Sequence, residues 1–142
     1  MEYAYTMDPF PQQTKQFTKL YTYYDNLRNG ILSTTKCQDC GHISFPLKSV
    51  CPECLSDQFV WITLPSEGTI EAFTIQETGI PAEFRGPLIF ALVRVGPIRM
   101  YTQIVNSPKE DIEINKQVTL NVLKVPDSPY SKERVLPTFQ LI

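Results

Sequence analysis

The stretch KCQDCGHISFPLKSVCPEC, residues 36–54, contains every cysteine of the chain: Cys37, Cys40, Cys51 and Cys54. Two C-x-x-C pairs separated by ten residues can bring four thiolates onto one tetrahedral ion, each pair folding as a knuckle with a short hairpin between. Gly41 follows Cys40, where a knuckle needs positive φ and an amide aimed back at sulfur. Leu55 stands at the matching place after Cys54, so the second turn must be strained or take another shape; neither outcome removes a ligand. Structural Zn2+ is the expected occupant, a rubredoxin-like iron the minor variant, and two disulfides or free thiols the competing reading. Four thiolates fill the coordination sphere and leave no position for water or substrate, so the metal holds the fold and does no chemistry. His42, the only histidine, reads as a solvated turn residue.

The competing disulfide reading depends on compartment. The N-terminus MEYAYTMDPF has neither a basic n-region nor an apolar run, and the longest apolar stretch, PLIFALV, is too short to cross a bilayer. A cytoplasmic protein without a membrane anchor is expected, and in that reducing environment paired cysteines are metal ligands.

Other chemistry is not legible. A single histidine gives no persuasive Ser-His-Asp or Cys-His pairing, no G-x-S-x-G elbow occurs, and the six glycines are scattered singly. Glu110, Asp111 and Glu113 cluster between strands and read as a solvated connector. A binding module is expected, with no catalytic residue. Net charge is −2 and the pI near 5.4; residues 1–66 carry five basic and six acidic side chains, residues 67–142 eight and nine. No part has the basic excess of a phosphate-backbone binder.

The elements that must position these residues follow from periodicity. Residues 1–33 form an aromatic N-terminal segment. Phe17, Leu20, Tyr21, Tyr24 and Leu27 fall at i, i+3, i+4, i+7 spacing between a possible Thr14 cap and a Gly30 stop, which predicts an amphipathic helix. Phe17, Tyr21 and Tyr24, with Tyr3, Tyr5 and Phe10 upstream, either fold back on the domain or dock on a partner. Residues 34–64 form the four-cysteine ribbon, closed by a strand FVWITL. Residues 65–142 hold GTIEAFTI, LIFALVRV, RMYTQIV, QVTLNVLKV and VLPTFQLI, five strands with turn signals between. The fold class is thus mainly β with an N-terminal helix: a rubredoxin-like zinc ribbon followed by a five-stranded OB-fold barrel. LIFALV, apolar on both faces, should be central, and Trp61 should plug the space between ribbon and barrel. A ribbon beside an OB barrel raises single-stranded nucleic acid as the alternative ligand: Tyr101 and Phe73 could lie on a stacking face, with Arg94 and Arg99 nearby. The acidic balance speaks against it, and both aromatics are more economically core or strand-pairing residues.

The ordered set of an aromatic helix, KCQDCGHISFP, CPEC, Trp61, EGTIEAFTI, ALVRV, MYTQIV and LPTF resembles, over essentially the whole chain, the zinc-ribbon and OB-fold family catalogued as domain of unknown function number thirty-five. The resemblance implies a small subunit without catalysis of its own, working beside a thiolase, a hydroxymethylglutaryl-CoA synthase or a related acyl-CoA enzyme. In archaeal thiolase–synthase assemblies such a subunit bridges the enzymes and helps enclose a shared CoA site; in steroid and polyketide systems relatives support hydratases, aldolases or acyltransferases. It implies acyl-CoA or CoA as ligand. The candidates to receive it are Phe45, Pro46 and Lys48, where the family has an FP-x-basic stretch, and Phe84 and Arg85 in the long loop GIPAEFRGP. Packing of Phe45 and Pro46 between ribbon and barrel, and solvation of Lys48 and Arg85, are the plain alternatives.

Overall fold

A computed structural model describes residues 10–80, 86–129 and 131–142. The segment around Tyr3 and Tyr5, the loop residues Phe84 and Arg85, and Tyr130 lie outside the described residues.

The helix α1 spans Tyr21–Arg28. It starts later than the sequence periodicity predicts. The Thr14 carbonyl accepts the amides of Phe17 and Thr18 in an isolated turn, and the Thr18 hydroxyl then accepts the Leu20 amide at 3.1 Å. A local side-chain bond of this kind competes with helix extension. The predicted stop holds: Gly30 has φ 77, and the Ile31 amide reaches the Asn26 carbonyl at 3.0 Å, closing the end in a Schellman arrangement. The buried face is rotated from the predicted one. Tyr23 and Leu27 are buried, Tyr21 and Tyr24 half-buried, and Phe17 exposed.

The ribbon is a three-stranded antiparallel sheet in which β1 (Ser33–Cys37) lies between β2 (Ile43–Ser44) and β3 (Phe59–Thr63). β4 (Glu67–Gln76), β5 (Leu88–Val95), β6 (Ile98–Ile104), β7 (Gln117–Lys124) and β8 (Val135–Leu141) follow and close a barrel in the order β4-β5-β6-β8-β7. Closure comes from a parallel pairing of β6 with β8, Gln103 opposite Thr138 and Ile104 opposite Phe139. The apolar β5 lies between β4 and β6, joined to β6 by the tight corner at Gly96, φ 54. This is an OB-type barrel with a ribbon before it, as the strand spacing predicts.

Alternation along the strands fills the barrel. Val93, Val95, Met100, Ile104, Val118 and Phe139 point inward and are almost fully covered. Gly68 opens the close approach of β4 to β5: a Cβ there would lie 2.6 Å from Val93 Cγ1 and 2.7 Å from the Arg94 carbonyl oxygen. The barrel core is continuous with Tyr23 and Leu27 of α1, and Ile43, Phe45, Leu47 and Trp61 of the ribbon pack half-buried against it. The helix therefore folds back on the domain, and Trp61 lies where the ribbon meets that core.

Candidate functional site

The two knuckles are built alike. The Gly41 amide bonds to the Cys37 carbonyl at 3.0 Å and the Leu55 amide to the Cys51 carbonyl at 2.9 Å. Leu55 keeps the left-handed conformation, φ 64 beside φ 78 at Gly41, so the second turn is the strained version of the first. Leu55 is 78% exposed, so little burial offsets that strain.

The four Sγ atoms lie within 4.8 Å of one another, with Cys37–Cys54 at 3.5 Å and Cys40–Cys51 at 3.6 Å. A disulfide needs about 2.05 Å, so these are separate thiols. Sulfurs at about 2.3 Å from a tetrahedral ion would stand about 3.8 Å apart, close to the separations present. The electrostatics point the same way. The Cys40 amide, aimed at the Cys37 sulfur, helps bring that thiol down to about 7. The Ser56 amide pulls on Cys54 in the same sense, but burial and the three neighbouring sulfurs outweigh it and push Cys54 up to about 12. Several thiols so close can ionise together only around a cation. The donor set thus fits one four-thiolate metal ion, which would be closed to substrate.

The hairpin between the knuckles carries Phe45, Pro46 and Lys48. Phe45 is half-buried, its ring tilted against Tyr23 at 6.4 Å between centroids, while Pro46 and Lys48 are exposed. Phe45 therefore does pack, as the plain alternative proposed, and it also lines a groove. That groove, about 390 Å3, runs between His42, Ile43 and Phe45 of the ribbon and Arg94, Ile98 and Arg99 of the barrel. His42, half-buried beside the first knuckle, lies at one end of this lining.

The cations of the groove are organised from β4. The pairing of β4 with β5 shifts register between Ile70 and Ala72, so Glu71 sits in a bulge. Bulges re-aim side chains, and this one has its carboxylate between two guanidiniums: Arg94 Nε at 2.5 Å from one oxygen and Arg99 Nε at 2.9 Å from the other. Arg94 and Arg99 are direct cross-strand partners. On the same outer face Tyr101 is 68% exposed and stacks on Phe90, centroids 5.9 Å apart and planes 15° from parallel. Of the core or strand-pairing reading of these two aromatics, the strand-pairing half holds, Tyr101 opposite Leu92 and Phe73 opposite Ala91, while both rings are exposed and not core. The alternating patterns FALVR and RMYTQ contain the signal, since residues two apart on paired strands share a face.

A larger cleft, about 900 Å3, lies elsewhere, among Ile80, Pro87, Ile89, Ile104 and Ser107. Its Lys109 is occupied by Glu77: the hydrogen bond between them lowers the Glu77 carboxyl and raises the Lys109 ammonium. Phe84 and Arg85 fall outside the described residues. Among the partner-docking candidates, Tyr24 packs edge-on against Tyr23 at 5.1 Å and Tyr21 lies under the Lys15 ammonium at 5.7 Å, leaving Phe17 as the open ring. Glu110, Asp111 and Glu113 are exposed in the connector after β6, as expected of solvated charges. No helix among the described residues is long and apolar enough to cross a membrane.

Residues 25–60 match the rubredoxin-like zinc ribbon domain of ChsH2. A DUF35 domain-containing scaffold protein of Methanothermobacter thermautotrophicus is 30% identical over 98 residues, covering 66% of this chain and 73% of that protein. A scaffold protein of the same description from Methanocaldococcus jannaschii is 29% identical over 87 residues, covering 58% of this chain and 61% of its own length. Among solved structures, one chain of an Ltp2-ChsH2(DUF35) aldolase superposes with a TM-score of 0.74 at 22% identity, over 94% of this chain and 98% of that one. A DUF35 family protein from Sulfolobus solfataricus gives 0.55 at 16% identity, over 85% and 81%. The two structures bear on the fold.

Proposed function

Because the chain belongs to the DUF35 family of zinc-ribbon and OB-fold proteins, we propose that it is a scaffold subunit without catalysis of its own, which joins an acyl-CoA enzyme of the thiolase or hydroxymethylglutaryl-CoA synthase type and helps enclose the CoA-bound intermediate. The observation that carries this reading is the groove where Phe45 of the metal-held hairpin faces Arg94 and Arg99 of the barrel. Acyl-CoA presents phosphates, an adenine ring and a long pantetheine arm. A receiving groove needs an aromatic wall and a few cations rather than a basic domain, which agrees with a net charge of −2.

In this reading one Zn2+ held by Cys37, Cys40, Cys51 and Cys54 is structural, and the hairpin it shapes presents Phe45, Pro46 and Lys48 to ligand. Phe84 and Arg85 are the further candidates to contact the ligand. Phe17, with Tyr21 and Tyr24 behind it, would meet the partner enzyme. The relatives described as scaffold proteins support the absence of catalysis, and the reduced, metal-fitted thiols suit a cytoplasmic setting.

The test is affinity capture of the tagged chain from nuclease-treated lysate of its source, with mass spectrometry of what co-elutes. A thiolase or synthase at near-stoichiometric yield, and CoA binding by the recovered complex, is the expected result. Recovery of no acyl-CoA enzyme, or turnover of an acyl-CoA by the pure chain, overturns the reading.

A further inference from the structure

The groove's Arg94 and Arg99 belong to a larger arrangement on the outer face of β5 and β6. Its outward positions are Phe90, Leu92 and Arg94 on one strand and Arg99, Tyr101 and Gln103 on the other. Tyr101 is held parallel to Phe90 on one side and is open on the other. One row along the strand, about 7 Å away at two residue rises, stand Arg99 and its cross-strand partner Arg94. Glu71 engages each guanidinium through Nε, and among the described residues the terminal nitrogens of both make no hydrogen bond. Two planar forks are thus held side by side with their outer donors free, at the mouth of the groove lined by His42 and Phe45.

We propose that this face is a nucleotide-binding site: a base stacks on the open side of Tyr101, and a diphosphate takes the free donors of Arg94 and Arg99. Each half has its own physical reason. A rigid exposed ring on strands two and three of an OB barrel is a stacking platform that any base can use. Paired guanidiniums bind phosphate oxygens bidentately, and a carboxylate that fixes their orientation lowers the cost of ordering them on binding. Ring and forks stand in adjacent rows of one sheet face, about 7 Å apart along the backbone, so a base and a phosphate of one small ligand can be met from the same face. A polynucleotide fits less well: the outward positions of these strands carry two cations, and Glu71 neutralises one of them, leaving no charged track for a backbone. The proposal rests on the acyl-CoA reading only for the ligand's identity in the cell, the nucleotide end of CoA. Every residue of the site comes from this one chain, so the chain alone binds.

The experiment is an amide-shift titration of the full metal-loaded chain with ADP, with nucleotide-free pantetheine as comparison. Millimolar ADP is expected to move amides of β5, β6 and residues 42–45, while pantetheine leaves Tyr101 and Arg99 unmoved. The double variant Arg94→Gln, Arg99→Gln should weaken ADP at least tenfold, and Tyr101→Ala severalfold; these side chains are exposed, and unshifted barrel amides will report that the fold is intact. Absence of ADP shifts, equal shifts from pantetheine, or undiminished binding by the variants overturns the site. Tighter, steeply salt-dependent binding of an oligothymidylate overturns the single-nucleotide assignment. ADP binding here without CoA binding by any partner complex leaves the site standing and removes the acyl-CoA reading. CoA binding by a complex containing the double variant at wild-type strength does the reverse.

Discussion

The Gln13 side-chain amide pairs with the backbone of Val135 as a neighbouring strand would, donating from Nε2 to the Val135 carbonyl at 2.6 Å and accepting the Val135 amide at 3.0 Å. Both residues are buried. Arg28 of the helix adds a bond from Nη2 to the same Gln13 oxygen at 3.2 Å and one from Nε to the Glu133 carbonyl at 2.7 Å. Nearby, Arg134 is buried, donates from Nη1 to the Phe10 carbonyl at 3.1 Å and lies over the Phe10 ring. The segment 10–13 and the last strand of the barrel are thereby tied together. Gln13→Ala leaves a buried amide and carbonyl without these partners and should cost about 1–3 kcal/mol, read as a lower urea midpoint; an unchanged midpoint would show that water replaces the side chain.

Leu55→Gly is expected to stabilise the protein. The left-handed turn costs a leucine about 1–2 kcal/mol, and glycine's extra chain entropy returns about 0.5–1 kcal/mol of that. The exposed side chain at φ 64 has little packing to lose. A rise of about 0.5–1 kcal/mol in the metal-loaded form is the prediction, checked by thermal melts at matched metal content. A fall would mean that Leu55 contacts something beyond the chain's own fold.

Gly68→Ala should do the opposite. A methyl group would collide with Val93 Cγ1 and, less yieldingly, with the Arg94 carbonyl oxygen. Overpacking of this kind costs about 1–3 kcal/mol. It should also shift the amides of Arg94 and Glu71, because the displaced strand carries the ion-pair bridge. Wild-type stability in this variant would show that β4 can slide at no cost.

Tyr23 gives a pH dependence with a definite sign. Burial, helped by the neighbouring Tyr24, raises its phenol above the ordinary value of 10. The unfolded chain therefore loses this proton first, and the stability the neutral phenol supports is complete below pH 10 and falls as pH rises beyond it. Tyr23→Phe keeps the ring and removes the proton, so its alkaline limb should be flatter. Parallel limbs for the two proteins would dismiss Tyr23 as the cause.

Metal removal should be readable through Trp61, the only tryptophan, which is half-buried in β3 where ribbon meets core. Chelation of the reduced protein should free one metal ion per chain and shift the Trp61 emission to the red as the sheet loosens. The barrel, whose inward side chains supply most of the shared core, should keep most of its dispersed amides. Emission that stays put after complete chelation would mean the ribbon holds without its ion.

Local sequence was enough where chemistry is local. Cysteine spacing determined the four-thiol cluster, Gly30 the helix end, and period-two alternation the five barrel strands, because chelation, turn conformation and strand faces depend on residues only a few positions apart. The helix start was misread because spacing alone cannot see the Thr18 hydroxyl compete for the Leu20 amide. Its buried face was misread because only the barrel and ribbon packed against it choose between Tyr23 and Phe17. The same holds for the groove. Arg94 and Arg99 are visible as two charges in the sequence, but their pairing needs the β5–β6 register, and their clamp needs a bulge that turns Glu71 outward. Gln13 and Val135 stand 122 positions apart and meet only after the barrel has closed. Tertiary structure decided these relationships, because strand register and close approach are set by packing the whole core and not by any residue's own neighbours.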